Sequence, residues 1–257
     1  MYSKYMEKAK PELHDIAAFR KALANYQVSD HAHRILAGMK LVAMSSLSGG
    51  GRNTIIDRLV QQHEYFFIVS DTTRPPKIRN GRLEQEGINY YFRSEADMLK
   101  DIQNGEFLEA EIIHNQQVSG TSIRELERAK NSGKIAIHDF EYGGANNVAH
   151  AKADAYIIGL LPPNYDEWIR RFRDREVITE QELANRMQTA EKVLENMLDK
   201  PYFKLIINDD IDTCVADIRA VVERDEYSSA MAASGRRVAI DVLQRVRGTL
   251  RSPAKSL

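Results

Sequence analysis

At 257 residues, with a formal net charge of -1 and 28% charged residues, the chain can hold one large domain or one domain with appended helices, and its balanced charge gives no global polyanion-binding character. A single cysteine, Cys214, excludes an intrachain disulfide framework and a cysteine-based zinc site. No run approaches membrane-spanning length and the opening stretch MYSKYMEKAKPELHD lacks an apolar signal core, so the expectation is a soluble, cytoplasmic protein without membrane contact.

Residues 1–38 read as a helical extension. Leu13, Ile16, Ala17, Leu23 and Tyr26 recur at roughly helical spacing with Pro11 as an early helical residue, and Ser29 is placed to cap a second helix running through Ile35 and Leu36 to Gly38. The expectation is that these helices dock on the main domain. From 39 to about 225, the apolar runs Leu41–Met44, Tyr65–Val69, Ile135–Ile137, Tyr156–Leu161 and Leu205–Ile207 alternate with amphipathic helices. That alternation predicts an α/β domain with a parallel sheet covered on both faces. Residues 75–122 break the rhythm: Gly81, Gly87 and the alternation Asn89-Tyr90-Tyr91-Phe92 predict a small antiparallel insertion. Residues 226–257 form a basic C-terminal helical extension; between Arg236 and Leu257, Arg236, Arg237, Arg245, Arg247, Arg251 and Lys255 stand against one acid, Asp241. Val238, Val242, Leu243 and Val246 line one face of that helix, and packing on its own domain is favoured over nucleic-acid binding. The partner of its basic edge is left open.

Leu41 to Thr54, LVAMSSLSGGGRNT, runs from an apolar strand through three glycines into a helix start. A phosphate-binding loop of this kind converges backbone N–H groups and a helix N-terminus on phosphate oxygens, adds a lysine, and supplies a hydroxyl for Mg²⁺. Here Ser46 stands at the first glycine position, Arg52 at the lysine and Asn53 at the hydroxyl. Arginine keeps the charge in a bulkier fork, and the Asn53 carbonyl is a possible metal ligand. The loop by itself reads equally as a phosphate cradle and as a glycine turn that binds nothing. A second hydroxyl- and arginine-bearing turn, SDTTRPP, spans Ser70–Pro76.

In order along the chain, SLSGGGRNT (46–54), SDTTRPPK (70–77), GINYYF (87–92), GEFLEAEIIH (105–114), SGTS (119–122), IHDFEYGG (137–144), LPP (161–163), RRFRDR (170–175), NRM (185–187) and INDD (207–210) resemble guanylate kinases. The resemblance covers about Lys40 to Ile218 and implies the P-loop nucleoside monophosphate kinase fold. That fold is a parallel five-stranded sheet with a small antiparallel GMP-binding insertion and a helical lid at about 170–187. It further implies ATP binding by Ser48, Gly49, Gly50, Gly51, Arg52, Asn53, Thr54 and Asn208. GMP binding is implied for Ser70, Arg74, Lys77, Glu84, Tyr90, Glu109, Ser119, Thr121 and Asp139. Lys77 replaces a family arginine and Ser119 a family tyrosine. Glu109, Asp139 and Thr121 would read the guanine edge; Arg171, Arg175, Arg186 and Arg52 would carry catalysis; Asn53 and Glu141 would serve Mg²⁺. The implied reaction is ATP-dependent phosphorylation of GMP or dGMP. The altered loop keeps a second expectation in play, a catalytically inactive nucleotide- or partner-binding module of the same fold.

Overall fold

The computed structural model describes residues 13–79, 81–174 and 179–251. In chain order the first elements are α1 (Ile16–Ala24), α2 (Asp30–Ala37), β1 (Leu41–Ser46), α3 (Arg52–Gln61), β2 (Tyr65–Phe67), β3 (Asp71–Thr72), β4 (Ile78–Arg79), β5 (Arg82–Leu83) and β6 (Tyr91–Phe92). They are followed by α4 (Glu95–Gln103), β7 (Phe107–Ile113), β8 (Gln117–Ser122), α5 (Ile123–Asn131), β9 (Ile135–Asp139) and α6 (Tyr142–Ala151). The last are β10 (Tyr156–Leu161), α7 (Tyr165–Arg173), α8 (Glu180–Asp199), β11 (Phe203–Ile207), α9 (Ile211–Arg224) and α10 (Ser229–Arg251). The chain forms two compact units, one of residues 1–39 with 68–133 and one of 40–67 with 134–257.

The second unit is built on a five-stranded sheet of order β11-β10-β1-β9-β2, parallel throughout. Its strands are continuous apolar runs because both faces are covered. Val42, Met44, Ile137, Ile158 and Ile206 pack on Ile55 and Leu59 of α3 and on Val215, Ile218 and Val222 of α9. The register Met44↔Asp139 sets the end of β9 level with the loop that leaves β1. β2 stops at Phe67, two residues short of the predicted run; Ile68 and Val69 are buried in the other unit.

In the first unit, α1 and α4 cover β7 around Phe19, Met98, Ile102, Phe107 and Val118. The predicted Ser29 cap forms, with Ser29 Oγ accepting from the Ala32 N–H, and α2 closes at Gly38. Leu13 precedes α1 and Tyr26 follows it; Pro11 lies outside the described residues. Tyr26 instead clamps β7, its hydroxyl donating to the Phe107 carbonyl at 2.5 Å and accepting from the Phe107 N–H at 2.9 Å. The small sheet, of order β6-β3-β8-β7, is mixed rather than purely antiparallel, since β3 pairs with β6 in parallel.

Asp71 organises this sheet. Its carboxylate is fully buried and accepts from Arg93 at 2.6 Å, Arg124 at 2.9 Å and Ser122 Oγ at 3.3 Å. Burial pushes its pKa up against the pull of the arginines. Removing one partner of a buried charge costs far more than the pair contributes. Arg93→Met is therefore expected to destabilise the protein by about 3 kcal/mol in urea unfolding, and a change within about 0.5 kcal/mol would show that Arg124 and Ser122 suffice.

Candidate active site

The loop between β1 and α3 is held by two side-chain hydrogen bonds to its carbonyls. Gly49 and Gly51 have φ of 79° and 89°, a left-handed conformation that side chains resist. The Asn208 amide donates to the Gly50 carbonyl at 2.9 Å, and the Trp168 indole N–H donates to the Ser48 carbonyl at 2.8 Å. A Cβ added at Gly51 would lie 2.3 Å from Asn208 Nδ2. α3 then begins at Arg52 with no side-chain cap, so its first backbone N–H groups have no capping side chain. Such an end favours anions. Asn208, expected among the ATP-binding residues, is 3% exposed, and its side chain braces the loop.

Arg52 lies across the end of β9. Its guanidinium donates to the Phe140 carbonyl at 2.9 Å and pairs with Asp139 Oδ2 at 2.9 Å. Asp139, expected at the guanine base, is thereby committed to the cation of the phosphate loop, because β9 neighbours β1 directly. Glu141 is exposed at the N-cap of α6, and Asn53 and Thr54 are exposed in the first turn of α3.

Arg171 on α7 is oriented by Glu167 at 2.9 Å and by the Asn208 carbonyl at 2.9 Å. The paired arginines hold the Glu167 carboxyl at about 2. α7 ends at Arg173 with Asp174 as its C-cap; Arg175 lies outside the described residues. The expected lid segment from Glu176 to Leu183 already enters α8 at Glu180, capped by Thr179. Arg186 on α8 pairs with Glu182 and stacks 5.0 Å over the Phe172 ring, which also meets Gly49. Trp168 lies outside every quoted motif, and Phe172 is the apolar member of RRFRDR (170–175). Their signal is aromatic spacing, four residues apart, and Trp168 is the only tryptophan.

The expected acceptor residues lie in the first unit apart from Asp139. Arg74 is 5% exposed, clamped by both Glu84 oxygens at 2.5 and 3.0 Å and 4.6 Å over the Tyr90 ring. Glu84 also accepts from the Lys77 N–H at 2.9 Å. Expected as a ligand contact, Glu84 acts through Arg74, which it positions. Ser119 Oγ donates to Thr72 Oγ1 at 2.8 Å, and Ser70 lies just before β3. Glu109 is 7% exposed on β7 and accepts from Thr121 Oγ1 at 2.9 Å across the β7–β8 register. Burial, reinforced by Glu111, pushes the Glu109 carboxyl up to about 7.

A raised carboxyl favours the protonated folded state between its unfolded value of 4.5 and about 7. The contribution to stability is therefore full at low pH and lost as pH rises through that window. Glu109→Gln is expected to flatten this part of the stability-versus-pH curve measured by thermal unfolding; an unchanged curve would assign the dependence to another group. Gly51→Ala is expected to cost about 1–2 kcal/mol from the left-handed conformation alone, with further loss from the Asn208 contact, read by the same unfolding measurement. Wild-type stability in that variant would mean the loop shifts freely.

Residues 38–225 match the family model described as guanylate kinase. A guanylate kinase of Synechococcus is 35% identical over 185 residues, covering 71% of this chain and 82% of that protein. The human guanylate kinase is 31% identical over 194 residues, covering 74% and 95%. For guanylate kinase 1 of rice, 30% identical over 192 residues, the match covers 74% of this chain but 49% of that protein, so the chain spans about half the length of such plant relatives. The crystal structure of the Anaplasma phagocytophilum guanylate kinase superposes with a TM-score of 0.55 at 22% identity, covering 75% of this chain and 89% of that one, and so shares the fold. With the family model matching residues 38–225 and a 35% identical relative covered to 82%, the chain belongs to the guanylate kinase family.

Proposed function

We propose that this chain transfers the γ-phosphoryl group of ATP to GMP or dGMP, releasing ADP and GDP or dGDP. The observation that carries the reading is the buried Glu109–Thr121 pair. An apolar strand keeps a carboxylate at 7% exposure only where a partner meets it, and guanine supplies the N1–H and N2–H donors it needs. Adenine reverses that edge and leaves the carboxylate without donors, which favours discrimination against AMP. Arg74, held rigid by Glu84 and stacked on Tyr90, is a preformed fork for the acceptor phosphate, with Ser70, Lys77 and Ser119 near it in sequence or sheet.

On the donor side, the glycine loop offers its backbone N–H groups to the triphosphate, with Ser48 at its start and Asn208 beneath it. Arg52, Arg171, Arg175 and Arg186 neutralise charge on the group in flight, as an acceptor phosphate oxygen bonds to the γ-phosphorus and the bond to the β,γ-bridging oxygen breaks. Mg²⁺ fits the donors present: the Asp139 carboxylate, the Asn53 amide oxygen and the Thr54 hydroxyl are hard oxygens at the loop, with Glu141 two residues beyond Asp139. No cluster of three acidic, histidine or cysteine side chains is preformed among the described residues, in keeping with a cation that arrives on nucleotide phosphates and neutralises them. The proposal places the catalytic region at 39–225 with 1–38 and 226–257 as extensions, and the reaction in cytoplasmic purine nucleotide metabolism. No described helix is long and apolar enough to cross a membrane.

One observation favours the inactive reading: Arg52 is committed to Asp139 and the Phe140 carbonyl rather than left open to a phosphate. ADP release measured with ATP, Mg²⁺ and each nucleoside monophosphate separates the two. The expected outcome is release dependent on GMP or dGMP, lowered about a hundredfold in Arg52→Ala. GMP binding without ADP release from any acceptor would establish the inactive module.

A further inference from the structure

Helix α10 lies beyond the matched region 38–225, and three of its basic residues, Arg236, Arg245 and Arg247, make contacts within its own unit. Gly235, Ala239, Val242, Leu243 and Val246 form its buried stripe. Gly235 sits so close to β11 that a Cβ there would fall 2.5 Å from the Leu205 carbonyl oxygen. Glycine inside a helix costs about 1 kcal/mol against alanine, so close seating is what this position provides. Arg245 donates to Asp166 at 2.7 Å and stacks 4.8 Å over Tyr165, whose hydroxyl meets Thr249 Oγ1 at 2.7 Å. Arg247 pairs with Glu191 at 2.8 Å and also with Glu195, and Arg236 donates to the Leu198 carbonyl at 3.1 Å.

Among the described residues, the polar contacts of Arg236, Arg245, Arg247 and Thr249 with other elements fall on two helices, while the apolar stripe seats on β11. Tyr165 and Asp166 open α7, which carries Arg171; Glu191, Glu195 and Leu198 belong to α8, which carries Arg186. At about 1.5 Å per residue, Arg171 lies about 9 Å along α7 from Tyr165, and Arg186 about 7.5 Å along α8 from Glu191. Helices are stiff over such distances, so fixing one part fixes the other. We propose that α10 is a brace on the phosphate-gripping arginines: it ties α7 to α8 and so sets the positions of Arg171 and Arg186. Arg245 and Arg247 are positioning residues in this account, which rests on the kinase reading given above. Arg245 and Arg247 are then the complement of acidic positions on α7 and α8.

The test uses the full chain with Arg245→Ala/Arg247→Ala together, and Arg247→Lys as the conservative control. Amide hydrogen exchange of the unliganded protein is read at residues 165–173 and 180–190, and steady-state kinetics separately for ATP and GMP. The expected result is faster exchange in both segments and a kcat lowered about tenfold, with the KM for GMP unchanged. Arg247→Lys should recover most of both effects, since an ammonium still reaches the carboxylates. Unchanged exchange and kcat, with only a lower Tm, would overturn the brace. Wild-type protein without GMP-dependent turnover would remove the kinase reading alone, and the exchange comparison would still decide the brace.

Discussion

The hydrogen bond from the Asn208 amide to the Gly50 carbonyl is the constraint on which the donor side depends. A strand that turns at once into a helix has no room for ordinary side chains, so Gly49 and Gly51 take left-handed backbone. Such a turn is flexible unless its carbonyls are held. Asn208 at the end of β11 and Trp168 on α7 hold two of them, at Gly50 and Ser48. With the carbonyls tied inward, the N–H groups at the start of α3 face outward. The same residues pass the constraint on: the Asn208 carbonyl receives Arg171, and the aromatic face beside Trp168 seats Gly49 and carries Arg186.

Arginine in place of the usual loop lysine changes how the charge is stored. A lysine ammonium is a compact point charge on a flexible stem, whereas a guanidinium is a planar fork that satisfies two acceptors at once. Arg52 uses that fork on Asp139 and the Phe140 carbonyl. The pair is partly exposed, so its strength is limited, and nucleotide phosphates offer the same fork a more highly charged acceptor. Keeping Arg52 on Asp139 places a cation and a hard carboxylate together beside the loop.

Much of the fold was legible because it follows from local pattern. The five apolar runs, the Ser29 cap and the Gly38 stop are all short-range signals, and each has its element in the structure. Strand ends were less legible, as β2 shows: Ile68 and Val69 continue the apolar run but pack elsewhere. The site residues were proposed from type and spacing, but the partners that hold three of them within the chain were not legible. Asp139 meets Arg52, Glu84 meets Arg74 and Asn208 meets Gly50, contacts spanning 10 to 158 positions that no periodicity encodes. The ion pairs of Arg245 and Arg247 on α10 were equally hidden, because their acidic partners lie on α7 and α8, from 52 to 79 positions away.

The central claim is that an arginine-bearing loop binds the triphosphate. Calorimetric titration of ATP with Mg²⁺ into the wild-type chain and into Arg52→Met tests it most directly. The account predicts saturable binding by the wild type, weakened at least about tenfold in the variant, as expected for losing a charge-assisted fork worth about 1.5–3 kcal/mol. Equal affinities, or a wild-type chain that binds no ATP, would contradict it.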